Sequence, residues 1–433
     1  MGDDSDTLEH LNRDESDRTG FTTTPFFVEA VTGAEREVGT GSSHVDTAQQ
    51  NPRAASFFLF MHEKPIFIDN DRQLKSACER WIGVDAIGLD TEFERTRTYY
   101  SRPALVQIFD GEQVSLIDPL TIEDFAPLAR LLQCSDVTKV MHASEGDNEV
   151  LEQLTGVSPQ PIFDTQIAAA FAGHGFSLGY RRLTQVLLGE ELAKGETRSD
   201  WLKRPLSDAQ IAYAALDVVH LLPMYRQLQH QLTELGRDSW LREEICRVQK
   251  RRMADRDPRR AYLRIRQTRR LATSALATLR ELAAWRELEA RNRDLPRQMI
   301  AKDSSLVAIA ATSPATAGEL AEIPELSANA IERYTQSLLS VIEQDHGDDL
   351  PPVPVPTVER GYSQWLKSLK ELVKQQADFL NIPAPLLAQA RTLESLVVAG
   401  AAGNHEIPEA LRGWREAVIG TRLMSELRRL ADA

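Results

Sequence analysis

Apolar and polar positions fall into regular patterns only from about Pro65 onward. Short runs rich in β-branched and aliphatic residues stand at Ile66-Phe67-Ile68, Ala86-Ile87-Gly88-Leu89, Ala104-Leu105-Val106-Gln107-Ile108-Phe109, Val114-Ser115-Leu116-Ile117 and Thr138-Lys139-Val140-Met141. Runs of this length and composition predict strands. Stretches with apolar residues every third or fourth position predict helices near 71–80, 121–133, 145–154, 164–172 and 207–233. Strands first and interleaved helices afterwards predict a mixed sheet covered by helices, an α/β domain spanning 62–235. Beyond about 235 the strand signals stop and helical periodicity continues to the end.

The polar segments divide the rest. Residues 1–55 are rich in Ser, Thr, Asp and Gly without sustained periodicity, which predicts a disordered acidic tail. Pro351-Pro352-Val353-Pro354-Val355-Pro356 cannot continue a helix, so a stiff linker is expected over 346–360. It separates two all-α domains, 270–345 and 361–433, and a basic helical connector over 236–269 joins the first of them to the α/β domain.

Composition and charge narrow the class. At 433 residues the chain is long enough for several domains. It contains no apolar run of the roughly 18–20 residues a membrane span requires, and its first residues, Met1-Gly2-Asp3-Asp4-Ser5-Asp6, resemble neither a secretory signal nor a transit peptide. Cys78, Cys134 and Cys246 are far apart, which argues against a disulfide framework or zinc site and for a reducing cytoplasm. The formal charge of −14 is unevenly spread. Residues 1–50 carry 11 acidic and 3 basic side chains, a net of −8, whereas residues 247–270 carry 11 basic and 2 acidic, a net of +9. That basic run, which includes Arg251, Arg252, Arg259 and Arg260, reads either as a footprint for phosphates or as a solvated connector helix.

Three acidic groups carry candidate chemistry. Asp90 and Glu92 end the most apolar strand, and residues two apart on a strand share a face. Two carboxylates there repel unless a cation or proton lies between them; the plain alternative is a solvated strand end. Asp147 opens a helix after the strand ending at Met141-His142, where a first-turn acid is favoured by the helix dipole alone. Tyr213 and Asp217, four apart in a helix, lie on one face, with a half-buried ring and exposed carboxylate as the plain alternative. Taken together, hard oxygen donors without Cys or His suit Mg²⁺ or Mn²⁺. Four carboxylates can hold two ions about 3.5–4 Å apart, the arrangement that stabilises the attacking and leaving oxygens in phosphodiester cleavage. The Tyr213 phenol, with an ordinary pKa of ~10, suits positioning a water better than deprotonating it.

These residues carry a resemblance. Asp90-Thr91-Glu92-Phe93, His142-Ala143-x-x-x-Asp147 and Tyr213-x-x-x-Asp217 resemble the three exonuclease motifs of the DEDDy family, and Phe163-Asp164-Thr165-Gln166-Ile167-Ala168 and Ser199-Asp200-Trp201-Leu202-x-Arg204-Pro205-Leu206 are similar to stretches of its ribonuclease D branch. The resemblance covers about 65–230. It implies a ribonuclease H-like fold and two-metal hydrolysis at a nucleic-acid 3′ end, with Asp90, Glu92, Asp147 and Asp217 as ligands, Asp90 bridging, and Tyr213 holding the nucleophilic water. Phe93 either stacks on the terminal nucleotide or closes the core, and His142 either lines the cleft or is satisfied by backbone. Asp164 reads as a helix N-cap. Lys194 and Arg198 are candidates for RNA phosphates, and Trp201 for a base contact or a packing anchor.

Residues 270–345 resemble the helicase-and-ribonuclease-D C-terminal (HRDC) domain through Leu279-Arg280-Glu281-Leu282-Ala283-Ala284-Trp285-Arg286, Leu295-Pro296 and Leu320-Ala321-Glu322-Ile323-Pro324, with Glu325-Leu326-Ser327 where the family often has glycine. A fainter second copy follows in 361–433. The expectation is a cytoplasmic 3′→5′ exoribonuclease that releases 5′-nucleotides from RNA 3′ ends, tRNA precursors and other small stable RNAs by the resemblance, with two Mg²⁺ or Mn²⁺ ions and no membrane or protein partner. The alternatives are a DNA-directed exonuclease with the same site and a non-catalytic RNA-binding scaffold. Intact carboxylates and tyrosine argue against the scaffold.

Overall fold

A computed structural model describes residues 64–192, 199–266, 268, 271–344 and 361–432. The expected tail and Pro-rich linker lie outside the described residues, as do Lys194 and Arg198. Strands β1 (Ile66–Ile68), β2 (Ala86–Glu94), β3 (Arg102–Phe109), β4 (Val114–Ile117), β5 (Thr138–Met141) and β6 (Ile162–Asp164) form one sheet in the order β1-β4-β3-β2-β5-β6. β3 runs antiparallel to its neighbours β2 and β4, while β1–β4, β2–β5 and β5–β6 are parallel. This is the expected mixed sheet. β6 has only three residues beside Pro159 and Pro161, too few to register as a period.

Helices cover both faces. One face holds α1 (Asp71–Trp81), α2 (Ala126–Gln133) and α3 (Glu145–Thr155), packed on Ile87, Leu89, Val106 and Ile108. The other holds α4 (Thr165–Phe171), α5 (Tyr180–Leu188), α6 (Asp208–Val219) and α7 (Leu221–Glu234), packed on Leu105, Phe109, Leu116 and Val140. The helix expected over 121–133 begins at Ala126, because Asp71 accepts the backbone N–H groups of Glu123 and Asp124 and holds them in a turn. The one expected over 207–233 is two helices meeting at His220; Pro223 has no N–H to continue the ladder. Helix α6 starts with a capping box between Ser207 and Gln210. The polar loop before it is tied to the sheet by Arg204, which grips Asp118 at 2.5 and 2.8 Å and donates to the Ala104 carbonyl at 2.6 Å.

The rest is helical: α8 (Asp238–Ala254), a 3₁₀ turn at Pro258–Arg264, α9 (Thr273–Arg293), α10 (Arg297–Ile300), α11 (Asp303–Thr312), α12 (Ala317–Ala321), α13 (Ala328–Ile342), α14 (Tyr362–Leu380), α15 (Ala384–Leu387), α16 (Ala390–Ala401) and α17 (Thr421–Ala431). Helices α9–α13 enclose their own core, which takes in Tyr262 from the 3₁₀ turn and Tyr99 from the β2–β3 loop. The Tyr99 hydroxyl donates to buried Glu287 at 2.5 Å and accepts from Arg291 and Arg297. Asp294, the left-handed C-cap of α9 at φ 50°, accepts the N–H groups of Tyr99 and Tyr100. In the last four helices the apolar face joins the α4–α8 core directly. Trp414 stacks on Trp240 at 4.8 Å and meets Phe171 edge-on, and Arg415 pairs with Glu244 at 2.6 Å. Glu325 adopts φ 62° in the turn where the resembled family often has glycine, its carboxylate held by Ser304 and Lys302.

One residue sets how closely α6 approaches the sheet. Gly88 lies under the α6–α7 junction, where a Cβ would stand 2.8 Å from the Val218 carbonyl oxygen and 3.2 Å from Leu221. A glycine in a strand interior marks such a close approach of backbone. Gly88→Ala is therefore expected to push α6 off β2 and to lower stability by about 1–3 kcal/mol. Urea unfolding measures it; an unchanged midpoint would show that the junction can yield without strain.

Candidate active site

The carboxylates come from both faces of the sheet. On β2, Asp90 and Glu92 share the face that carries Gly88, and α6, lying on that face, delivers Asp217 beside them. One oxygen from each of Asp90, Glu92 and Asp217 lies within 4.8 Å of the others. Thr91 points the opposite way, toward α3, and its hydroxyl donates to Asp147 at 2.6 Å. Asp147 thus reaches the site around the end of β2 from the other face, with one oxygen held by Thr91. The register of β2 against β3 shifts between Glu92 and Phe93, a bulge of the kind that re-aims side chains beside a site.

The supports of these groups are specific. The turn from β5 into α3 places Ala143 at φ 53°, a left-handed conformation that costs a non-glycine residue about 1–2 kcal/mol. Asp164 offsets that cost by accepting the N–H of Ala143 at 3.2 Å and of Ser144 at 2.9 Å, while also capping α4 through Gln166 and Ile167. Asp164 is the N-cap expected from its sequence position, and it fixes the turn that launches Asp147. Tyr213 hydrogen-bonds Asp217 one turn along α6, so their shared face is occupied as a pair. Tyr180, absent from the sequence-based candidates, donates to the Leu216 carbonyl at 2.9 Å and braces the backbone just before Asp217. Only a helix signal over 180–188 would have drawn attention to it.

Burial and mutual repulsion shape the charges. Asp90 is held well above the ordinary carboxylate range by burial and then by Asp147, Asp217 and Glu92. Glu92 is pushed up to about 8 by burial, with Asp217 and Asp147 adding to it. Burial raises Asp217 to about 7 against the hydrogen bond from Tyr213, and raises Asp147 to about 6 against the bond from Thr91. The Tyr213 phenol is raised above its ordinary value by burial and then by Asp217 and Glu92, so it stays protonated. Such a cluster retains protons or takes up a cation, and its hard oxygen donors fit a divalent ion.

The flanking candidates settle differently. Phe93 is half-buried and lies over the first turn of α3, where a Cβ on Gly146 would stand 3.4 Å from its ring. His142 is half-buried, its Nδ1 2.9 Å from the Thr165 hydroxyl and its ring edge-on to Tyr180. Trp201 is buried and packs near Tyr213 at 6.0 Å between ring centres, the packing anchor of the two readings. The basic run is partly paired with acidic side chains. From α8, Arg252 reaches Glu152 and Ser158, each at 2.7 Å, and Arg256 just beyond the helix joins Glu152. Arg251 approaches Glu145 at 3.7 Å, Arg259 pairs with Glu281 at 2.8 Å, and Arg260 faces Asp255 at 3.8 Å. Glu145, Glu152 and Glu281, which lie outside the run, offset part of the local surplus.

Comparison with known proteins places these features in a family. A family model described as 3′-5′ exonuclease matches residues 65–233, one described as HRDC domain matches 275–342, and one described as ribonuclease D, C-terminal HRDC domain matches 360–423. The chain is 38% identical over 368 residues to the ribonuclease D of Pseudomonas paraeruginosa, covering 83% of this chain and 97% of that protein. It is 37% identical over 365 residues to that of Escherichia coli, covering 82% and 96%. The crystal structure of Escherichia coli RNase D, described as an exoribonuclease involved in structured RNA processing, superposes with a TM-score of 0.77 at 35% identity, over 85% of this chain and 99% of that one. Among the described residues no helix is long and apolar enough to cross a membrane.

The raised carboxylates make a signed prediction for the metal-free protein. Glu92, Asp217 and Asp147 hold protons in the fold up to about 8, 7 and 6, above the ordinary carboxylate values they have in the unfolded chain. Their contribution is fully present below about pH 4 and is lost as pH rises through 6–8. Glu287, held down at about 2 by Arg297 and Tyr99 against the effect of burial, titrates below this window. Thermal unfolding in EDTA is expected to fall between pH 5 and 8.5, to recover with Mg²⁺ at 8.5, and to flatten in Asp217→Asn. A midpoint in EDTA that does not move with pH would contradict the account.

Proposed function

The chain belongs to the ribonuclease D family and is a 3′→5′ exoribonuclease; from that premise we propose that it shortens RNA by metal-dependent hydrolysis at the Asp90, Glu92, Asp147 and Asp217 cluster. The observation that carries this reading is the convergence of Asp90, Glu92 and Asp217 oxygens within 4.8 Å of one another in a half-buried cleft. Carboxylates packed so closely are stable as anions only with cationic charge among them. Two divalent ions, Mg²⁺ or Mn²⁺, supply stabilisation of the attacking and leaving oxygens of the phosphodiester when bound. Asp90, repelled by all three other acids, would hold metal together with Glu92, Asp147 and Asp217. Thr91 keeps one Asp147 oxygen engaged and so fixes the direction of the other.

Tyr213 keeps its phenolic proton at the cleft. Its protonated phenol, aligned by Asp217, orients the water that attacks the terminal phosphodiester and cannot itself remove the proton at neutral pH. Phe93, wedged over Gly146, offers a half-buried ring against which the terminal base is held. The substrates we assign are tRNA precursors and other small stable RNAs. The description of the Escherichia coli enzyme as acting in structured RNA processing supports that class. The free thiols of Cys78, Cys134 and Cys246 support a cytoplasmic setting.

Trimming of 5′-labelled RNA and matched DNA with Mg²⁺ is the test. Wild type is expected to shorten RNA stepwise and DNA poorly, with Asp90→Ala slower by at least about 10³-fold, some 4 kcal/mol of barrier. Equal cutting of DNA, or an active Asp90→Ala, would overturn the assignment. Tyr213→Phe is expected to lower kcat by about 10²-fold with KM within about threefold, as for a lost orienting contact. A change confined to KM would instead assign Tyr213 to substrate binding.

A further inference from the structure

The β2–β3 loop leaves the site directly after Glu92 and Phe93 and docks on the first helical domain. The seam it makes with that domain and with the 3₁₀ turn lines an open cavity of about 460 Å³. Its charged lining is Arg95, Arg264, Arg286, Arg297 and one acid, Asp303. Each guanidinium is held in place. Arg95 pairs with Glu149 at 2.9 Å, Arg297 with Glu287 at 2.5 Å, and Arg286 with Asp303 and the Ala301 carbonyl at 2.7 and 2.9 Å. Arg264 donates to a carbonyl, that of Asp255, at 2.6 Å, so its charge has no carboxylate within ion-pair distance among the described residues. Arg286 is only 4% exposed, yet its Nε has no hydrogen-bond partner. A buried guanidinium donor left unsatisfied is costly, and a polar lining of fixed, planar N–H groups suits a phosphate oxygen.

Position identifies which phosphate. Glu92 and Arg95 are three residues apart, so their Cα atoms are at most about 10 Å apart. A strand whose 3′ end lies at the carboxylates and whose body leaves past Phe93 passes this seam within a few nucleotides. We propose that the cavity is a binding site for a backbone phosphodiester of the RNA upstream of its 3′ end, held by Arg264 and Arg286 between the catalytic loop and the first HRDC domain. The proposal rests on the assignment of the carboxylate cluster as the site of the 3′ end. It makes the seam between domains the place where the first HRDC domain touches substrate.

The test is equilibrium binding to the full chain in an Asp217→Asn background, by anisotropy of 5′-labelled oligoadenylates of 12 and 3 nucleotides, at 50–200 mM KCl. Arg264→Gln removes a charge from an exposed side chain and leaves the core untouched; Arg286→Lys keeps the charge but loses the planar fork. For the 12-mer, Arg264→Gln is expected to weaken binding about fivefold at 50 mM KCl. It should also flatten the slope of log Kd against log salt by about 0.7, the value for one lost single-strand phosphate contact. Arg286→Lys should weaken the 12-mer with the slope retained, and the 3-mer should be affected by neither. Inorganic phosphate at matched ionic strength should not compete with the 12-mer. An unchanged slope in Arg264→Gln, or equal losses on both lengths, would refute the site. Competition by inorganic phosphate would make it a site for free anions and also refute the proposal. If wild type trims RNA yet the slope is unchanged, this inference alone fails; if wild type neither trims nor binds RNA, the parent assignment fails with it.

Discussion

Mutual repulsion of carboxylates in a half-buried cleft is the constraint around which this molecule is built. Asp90, Glu92 and Asp217 lie closer than like charges tolerate without compensation, and Asp147 adds a fourth charge from the far side of the strand. Two of the four are fixed by the side chains around them. Thr91 holds Asp147, Asp164 shapes the turn that launches its helix, Tyr213 bonds Asp217, and Tyr180 braces the backbone before it. Gly88 has no side chain because one would separate the helix carrying Asp217 from the strand carrying Asp90. Stability given up at the cluster is recovered in the sheet and helices around it, where Leu89, Leu105, Val106 and Ile108 are almost completely buried.

The helical half is attached to this site at two places by different means. The last helices join the catalytic domain through a continuous apolar core centred on Trp414, Trp240 and Phe171, with Arg415 and Glu244 paired at its margin. The first helical domain is attached by a polar knot, in which Tyr99 inserts from the loop that follows β2 and meets Glu287, Arg291 and Arg297. Glu287 is 1% exposed and has three donors, which is how a buried carboxylate remains charged. Both attachments place a helical domain against an element that also carries a catalytic or capping side chain.

The legible part of the fold was the part with a repeating local pattern. Five strands and the helices at 71–81 and 145–155 were readable because their apolar positions recur at fixed spacing. β6 and α5 were not, the first for its length and the second because only Leu183 and Thr184 along it are buried. Helix α6 ended earlier than periodicity implied because the break at His220 depends on Pro223 and on side-chain bonds to Glu190 and the Leu216 carbonyl.

The sequence by itself determined the donor set and its local geometry. Asp90 and Glu92 share a strand face and Tyr213 and Asp217 share a helix face because backbone periodicity imposes it. Tertiary structure alone decided the rest. It brought Asp147 in from the opposite face, paired Arg252 and Arg256 with Glu152, and set Arg264 and Arg286 along one seam between domains. Arg252 and Glu152 are separated by 100 residues, and Tyr99 and Arg297 by 198. Local charge counts and periods carry no term for such partners. Which pairs form is fixed only when the apolar faces pack and bring distant segments within hydrogen-bonding distance.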